Sequence, residues 1–158
     1  MMVLSDFSRT LFYPKDPNYT GGLNALHKKL HAEYGGEYEI LNYFEFNTEL
    51  LNFYRSLKGI YPVSIFTTDI IQNHPHVRPV LEETFDHIFS ANELGVDKKT
   101  ANAYILVSEK IGAAPPDIVY IDDQDDNLSA ATDAGMKAIH FDGDNKKLIG
   151  QIRALLSR

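Results

Sequence analysis

Apolar residues along this chain fall into two rhythms. Short unbroken runs, MVLS (2–5), VSIF (63–66), HIFS (87–90), IVYI (118–121) and KAIHF (137–141), are mostly rich in β-branched or aromatic residues and lack polar alternation. That is the pattern of strands covered on both faces. Between the runs, apolar residues recur every three or four positions. Leu50, Phe53, Tyr54 and Leu57 share a face over 47–58, and Gly59 follows as a stop. Ala101, Tyr104, Ile105, Ser108 and Ile111 do the same ahead of Gly112 and the Pro115–Pro116 break. A short helix is predicted from Leu128 to Ala134, ending at Gly135, and another from Leu148 through Leu156. Residues 76–84 also read as helical. Strands alternating with helices predict an α/β fold around a parallel sheet of five strands.

One stretch breaks the alternation. About 50 residues separate the first strand from the second, more than one crossover helix needs. Residues 13–22 (YPKDPNYTGG) are turn-rich, and 23–34 form an amphipathic helix with Leu23, Leu26, Leu30 and Tyr34 on one face, ended by Gly35 and Gly36. Residues 13–45 are therefore expected to form a small cap or flap over the end of the first strand. Tyr38, Tyr43, Phe44 and Phe46 are expected to pack it onto the core.

Composition narrows the possibilities. A chain of 158 residues suits one domain, 1–158, with a proper core. The net charge of −7 argues against a nucleic-acid partner, which needs a basic face, though not against a local phosphate site. The absence of cysteine removes disulfide, zinc–thiolate and thiol chemistry. No apolar run approaches the ~20 residues of a membrane span, and the N-terminus reads as a strand rather than a signal peptide. The expected location is the cytoplasm, with no membrane partner.

The chemistry concentrates where strands end, which is where ligands bind in open parallel sheets. The first strand delivers Asp6; the second, Thr67, Thr68 and Asp69; the third is followed by GVDKK with Lys98 and Lys99; the fourth runs into Asp122 and Asp123 and then QDDN. A carboxylate can attack phosphorus and carry the phosphoryl group. Magnesium takes hard oxygen ligands, so Asp6 and a fourth-strand aspartate can share it. A hydroxyl and an ammonium around the phosphoryl oxygens stabilise charge in the transition state. The bland alternatives are a turn-capping Asp6, ordinary strand-end threonines, solvated lysines and a helix-capping acid in the Asp122–Asp123 pair. Spacing alone does not choose between Lys98 and Lys99.

Taken in order, these stretches resemble the haloacid dehalogenase-like (HAD) hydrolases. Asp6 and Thr10 in DFSRTLF match the first motif, Thr67 in SIFTTD the second, Lys98 in ELGVDKK the third, and Asp122 and Asp123 in IDDQDDN the fourth. The resemblance spans the whole chain, and the insertion sits where a type 1 cap would. It implies a Rossmann-like three-layer sandwich, Mg2+ and phosphatase activity on a phosphorylated substrate, small or macromolecular. It assigns Asp6, Ser8, Thr67 and Lys98 to catalysis, Thr68, Arg9 and Lys98 to the substrate, and Asp6, Ser8, Asp122 and Asp123 to the metal. For Arg9, an exposed turn residue is the simpler reading.

Ser8 departs from the pattern. Phosphatases of this kind usually carry aspartate there, as the acid that protonates the leaving group and then activates water. Serine cannot do this near neutral pH, although its carbonyl can still bind magnesium. General acid–base help is worth about 10²- to 10⁴-fold. Weak hydrolysis, slow phosphotransfer or phosphate binding without turnover are therefore the competing outcomes. His27 and His31, four apart on the insertion helix, are a substitute acid if they face the site and an ordinary surface pair otherwise. A receiver domain uses similar residues, but its acidic pair belongs to the first strand, and here the pair comes fourth.

Overall fold

A computed structural model describes residues 1–158. Five strands, β1 (Met2–Ser5), β4 (Val63–Thr67), β5 (His87–Ser90), β6 (Ile118–Asp122) and β7 (Lys137–His140), form one sheet in the order β5-β4-β1-β6-β7. Every pairing in it is parallel. Successive strand residues face opposite sides of a sheet, and the core divides accordingly. Val3, Val63, Ile65, Val119 and Ile121 pack on one face with residues of α2 (Thr48–Leu57) and α7 (Asn145–Leu156). Met2, Leu4, Phe66, Ile118 and Tyr120 pack on the other with residues of α5 (Ala101–Ile111) and α6 (Asp125–Asp133). This is the predicted three-layer Rossmann-like sandwich.

From the central β1 the chain goes outward to β4 and β5, then returns to build β6 and β7 on the other flank. The winding direction thus switches between β1 and β6, and a crevice opens at the carboxyl ends of those two strands.

The long first connection holds a second, smaller sheet. β2 (Phe12–Pro14) and β3 (Phe44–Phe46) pair antiparallel, with α1 (Leu23–Tyr34) between them in the chain. Phe7, Phe12 and Phe44 stack in series with ring centroids 5.1 and 5.3 Å apart. Each such pair adds about 0.5–1.5 kcal/mol beyond its buried area, so the ribbon is anchored directly behind Asp6. The Asn47 side chain caps α2 at Leu50 N–H (3.2 Å), donates to the Thr10 carbonyl (3.1 Å) and bonds Asn145 at the start of α7 (2.8 Å). One residue thereby ties both helix N-termini to the turn after β1.

Several expectations need correction. The helix predicted from Leu128 begins a turn earlier, at Asp125, because Asp125 and Asp126 suit the positive end of the helix dipole. The helix in 76–84 shrinks to α3 (Arg78–Glu82). Tyr34 is 58% exposed rather than packed. Tyr38 and Phe44 are buried as expected, but Tyr43 lies out on Tyr34, with ring centroids 6.3 Å apart. No helix is long and apolar enough to cross a membrane.

Candidate active site

The Asp6 N–H donates to the Ile121 carbonyl (2.8 Å), one step beyond the β1–β6 ladder. This extra rung sets Asp6 beside Asp122, the last residue of β6. Asp123 follows, half-buried, and carboxylate oxygens of Asp6, Asp122 and Asp123 all lie within 4.8 Å of one another.

Lys98 enters from the opposite side. A four-residue helix, α4 (Ala91–Leu94), is ended by Gly95 in the left-handed conformation (φ 69°). The chain then turns around Asp97, whose Oδ1 accepts the Lys99 N–H (2.9 Å) and whose carbonyl accepts the Thr100 N–H (3.0 Å). Lys98 points in and Lys99 out: their side chains are 3% and 62% exposed. The Lys98 ammonium donates to Asp6 Oδ1 (2.8 Å), the Phe66 carbonyl (3.0 Å) and Asp122 Oδ2 (3.2 Å). Lys99 pairs with the exposed Asp126, at 3.8 Å, and also lines the cavity above the cluster.

Asp122 Oδ2 also accepts the Asn127 side-chain amide (3.0 Å) and the Tyr120 hydroxyl, while Oδ1 accepts the Gln124 N–H (2.9 Å). Burial opposes ionisation of Asp122, but Lys98, Tyr120, the Gln124 amide and Asn127 together hold its carboxyl below the ordinary range. Asp6 behaves differently. Burial raises it most, Lys98 opposes the rise, and Asp122 and Asp123 add to it, leaving Asp6 at about 7. Burial and then Asp122 push Asp123 up to about 6. Lys98 stays charged: burial acts against the cation, but Asp6 and then Asp122 hold its pKa above the ordinary lysine value. Three carboxylates thus lie beside one ammonium, and the cluster is two positive charges short of neutrality when all are ionised. A hard divalent cation meets that deficit, and Asp6, Asp122 and Asp123 are the oxygen donors that would hold it.

A cavity of about 470 Å³ opens above the cluster. Asp6, Ser8, Thr67, Thr68 and Lys98 line it, as does Asn24 of α1. Thr67 is buried and Thr68 exposed. Ser8 Oγ is buried without a hydrogen-bond partner; the cavity lining holds no imidazole, and its one carboxylate besides Asp6 is that of Asp97, whose Oδ1 accepts the Lys99 N–H.

Arg9 lines the cavity, and its Nη2 donates to the Tyr19 (3.1 Å) and Gly21 (2.7 Å) carbonyls. It is half-buried with φ 60°, a left-handed conformation unusual outside glycine. Arg9 is a strut between the turn after β1 and the approach to α1. His27 and His31 do not line the cavity. His27 is buried at the inner face of α1, bonded to the Tyr38 hydroxyl (2.8 Å), while His31 is exposed. Sequence reasoning missed Tyr120 and Gln124 as partners of Asp122. Tyr120 carried a signal, since residues two apart on a strand share a face.

No protein-family model matches the sequence. Solved structures do. A predicted HAD-like family hydrolase from Porphyromonas gingivalis superposes with a TM-score of 0.69 at 17% identity, over 99% of this chain and 97% of that one. A HAD family enzyme from Bacteroides thetaiotaomicron, in complex with magnesium and inorganic phosphate, gives 0.65 at 14% identity over 90% and 95%. A HAD-superfamily hydrolase of subfamily IA from Geobacter sulfurreducens gives 0.64 at 13% identity over 88% and 85%. With its sheet order and its strand-end carboxylates and lysine set beside these structures, the chain has the fold of the haloacid dehalogenase-like hydrolases.

Proposed function

We propose that the protein is a magnesium-dependent phosphohydrolase in which Asp6 accepts the phosphoryl group. The observation that carries this reading is the convergence of Asp6, Asp122 and Asp123 on a common point beside Lys98. The Bacteroides enzyme's complex with magnesium and inorganic phosphate supports the metal and the ligand class. Asp6, Asp122, Asp123 and the Ser8 carbonyl would hold the ion. When bound, Mg2+ supplies charge neutralisation between the attacking carboxylate and the phosphoryl oxygens.

The chain's own residues do the rest. Asp6 attacks phosphorus as the carboxylate, forming an oxygen–phosphorus bond as the bond to the leaving oxygen breaks. Lys98 and the hydroxyls of Thr67 and Thr68 surround the phosphoryl oxygens. The mostly polar cavity, with Asn24 on its cap side, suits a small hydrophilic phosphate ester or anhydride. Ser8 neither protonates the leaving oxygen nor activates water. Acyl and aryl phosphates, which leave without a proton, are accordingly the favoured substrates, and hydrolysis of the aspartyl-phosphate is the slow step. The buried, unpartnered Ser8 hydroxyl also favours a second reading, in which the phosphoryl group persists on Asp6 for transfer to another acceptor.

The test is incubation with Mg2+ and acetyl phosphate or p-nitrophenyl phosphate, following phosphate release and intact-protein mass, with Asp6→Asn as control. Steady release abolished by Asp6→Asn is the expected result. A lasting gain of one phosphoryl group on Asp6 without release selects the transfer reading. Neither signal would leave a non-catalytic binding protein.

A further inference from the structure

Asp122 is the most heavily bonded carboxylate in the site, and one of its partners is a tyrosine that the proposed reaction does not use. Tyr120 stands two residues earlier on β6, on the same face of the sheet, fully buried. Its hydroxyl donates to Asp122 Oδ2. Behind it, the Tyr104 hydroxyl of α5 donates to the Tyr120 oxygen at 3.4 Å, and the two rings pack at 4.9 Å and 68°. Phe66, at the end of β4, meets Tyr104 edge-on at 5.4 Å. The Lys98 ammonium lies over both flanking rings, 5.3 Å from the centre of Phe66 and 5.8 Å from that of Tyr120. The lysine therefore reaches the carboxylates along an aromatic wall that leaves it little room to move.

Phenylalanine would fill the same space beside Tyr104 and Phe66 without bringing a hydroxyl into the core, where an unpaired one is costly. What the hydroxyl adds is a third donor on one oxygen of Asp122. Tyr120, Asn127 and Lys98 meet at Oδ2, while Oδ1 accepts only the Gln124 N–H. A carboxylate held this way cannot rotate, and its less crowded oxygen keeps a lone pair free. Lys98 is closer to Asp6 than to Asp122 (2.8 against 3.2 Å), consistent with Asp122 being partly satisfied by other donors.

We infer that Tyr120 is a positioning residue for the metal site: its hydroxyl, braced by Tyr104, fixes Asp122 so that Oδ2 serves the protein and Oδ1 serves the cation shared with Asp6 and Asp123. This rests on the magnesium reading above. Partners of this kind behind a metal ligand are worth about 10- to 100-fold in affinity.

The experiment is titration of the full-length protein with Mg2+ alone, by calorimetry and by the Mg2+ dependence of thermal melting, for wild type, Tyr120→Phe and Tyr104→Phe. Three donors remain on Asp122 in Tyr120→Phe, so the fold is retained, and melting in EDTA checks this. The expected result is a Kd for Mg2+ raised about 10- to 100-fold in Tyr120→Phe, with a metal-free melting temperature close to wild type. A shift of no more than a few-fold is expected in Tyr104→Phe, whose hydroxyl acts one bond further back. Excess Mg2+ should return the phosphatase rate of Tyr120→Phe toward wild type, and the unchanged metal-free melting temperature distinguishes this from rescue of a destabilised fold. An unchanged Kd in Tyr120→Phe overturns the positioning role alone. A wild type that takes up no Mg2+ overturns the metal reading, and this inference with it.

Discussion

Two groups of buried titratable side chains lie in this molecule, and they respond to pH in opposite senses. At the strand ends, Asp6, Asp122 and Asp123 face one another across Lys98. Between the insertion and the core, His27, Tyr38 and His74 pack together, with ring centroids 5.1 to 6.1 Å apart, and His31 and His76 at the edges. The first group is dense in charge, and its oxygens converge. The second is neutral, and its nitrogens do not: His27 Nδ1 is bonded to Tyr38, and His74 Nδ1 accepts the His76 N–H at 3.1 Å. Burial alone marks neither as a site. What separates them is convergence of like charges, which destabilises the fold unless a ligand uses it. The histidine seam packs the insertion against the core and stays neutral, with His74 Nε2 buried and unpartnered.

The largest effect should come from removing the one cation that compensates the site. Lys98→Met leaves three carboxylates facing each other, and breaking a buried pair in this way costs about 3–5 kcal/mol. Urea unfolding near pH 7.5 in EDTA measures it. The loss should shrink near pH 5, where Asp6 and Asp123, already raised to about 7 and about 6, take up protons. Lys99→Met, on the neighbouring exposed side chain, should stay within about 0.5 kcal/mol of wild type. Equal effects of the two substitutions would erase the distinction between an inward and an outward lysine.

Next in size is the metal. An ion that binds only the folded state at 100 times its Kd stabilises by about 2.7 kcal/mol. Mg2+ should do so for wild type and not for Asp122→Asn. The sign with pH follows from linkage. The raised carboxyls keep protons in the folded state that the unfolded chain releases near pH 4, so metal-free stability from the site falls as pH rises from about 4 to 7. Mg2+ competes with those protons, and its stabilisation should grow from pH 5.5 to pH 7.5. Thermal melts with and without EDTA at the two pH values read this directly.

Much of this contrast was legible from local patterns, and the rest depends on contacts between distant segments. α1 runs from Leu23 to Tyr34 as its periodicity predicts, Asp6, Thr67 and Asp122 stand at strand ends or just beyond, where apolar runs stop, and Lys98 sits in the turn between α4 and α5. Those features are written within a few residues of themselves. The β2–β3 ribbon is three residues a side and pairs Phe12 with Phe46 across 34 positions, too short a run for periodicity to detect. His27 and His31 look equivalent on a helical wheel, yet only one is buried, because Tyr38 and His74 arrive from elsewhere in the chain. The bonds from Arg9 to the Tyr19 and Gly21 carbonyls, 10 and 12 positions along the chain, likewise left no local signal.

The histidine seam should give a smaller effect of opposite sign. Burial first, and then neighbouring histidines, lower the His27 pKa, while burial and His76 lower that of His74 despite the adjacent Tyr38 backbone and Glu37 and Glu39. The folded state therefore resists protons that the unfolded chain accepts below about 6.5. The seam's stability is present above that pH and is lost as pH falls below it. In Asp6→Asn, where the opposing carboxylate response is reduced, this acid loss should stand out, and His74→Gln should flatten it. Tyr38→Phe removes the hydroxyl bonded to His27 and should cost about 1 kcal/mol at pH 7.5. A steeper acid loss in His74→Gln than in its parent would place the titrating group outside the seam.

The smallest effect belongs to the Lys28–Asp69 pair at the outer edge of the insertion, and its contrast with Asn24 tests whether attraction or hydrogen bonding holds α1 down. Lys28 on α1 meets Asp69 at 2.7 Å, but the lysine side chain is 60% exposed. A pair of that kind contributes about 0–1 kcal/mol and is screened by salt. Four residues earlier on the same helix, the Asn24 side-chain oxygen accepts the Ile70 and Ile71 N–H groups (3.2 and 3.0 Å), two bonds that water would have to replace if the helix lifted. Lys28→Ala should therefore fall within about 1 kcal/mol of wild type and approach zero in 0.5 M salt. Asn24→Ala should cost more, about 1–3 kcal/mol, with no salt dependence, since it removes two hydrogen bonds to backbone donors. Urea titrations at low and high salt separate the two. A Lys28 effect as large as that of Asn24 would mean that the insertion is held by charge rather than by hydrogen bonding, and the division between a charged cluster and a neutral seam would not extend to the rim of the insertion.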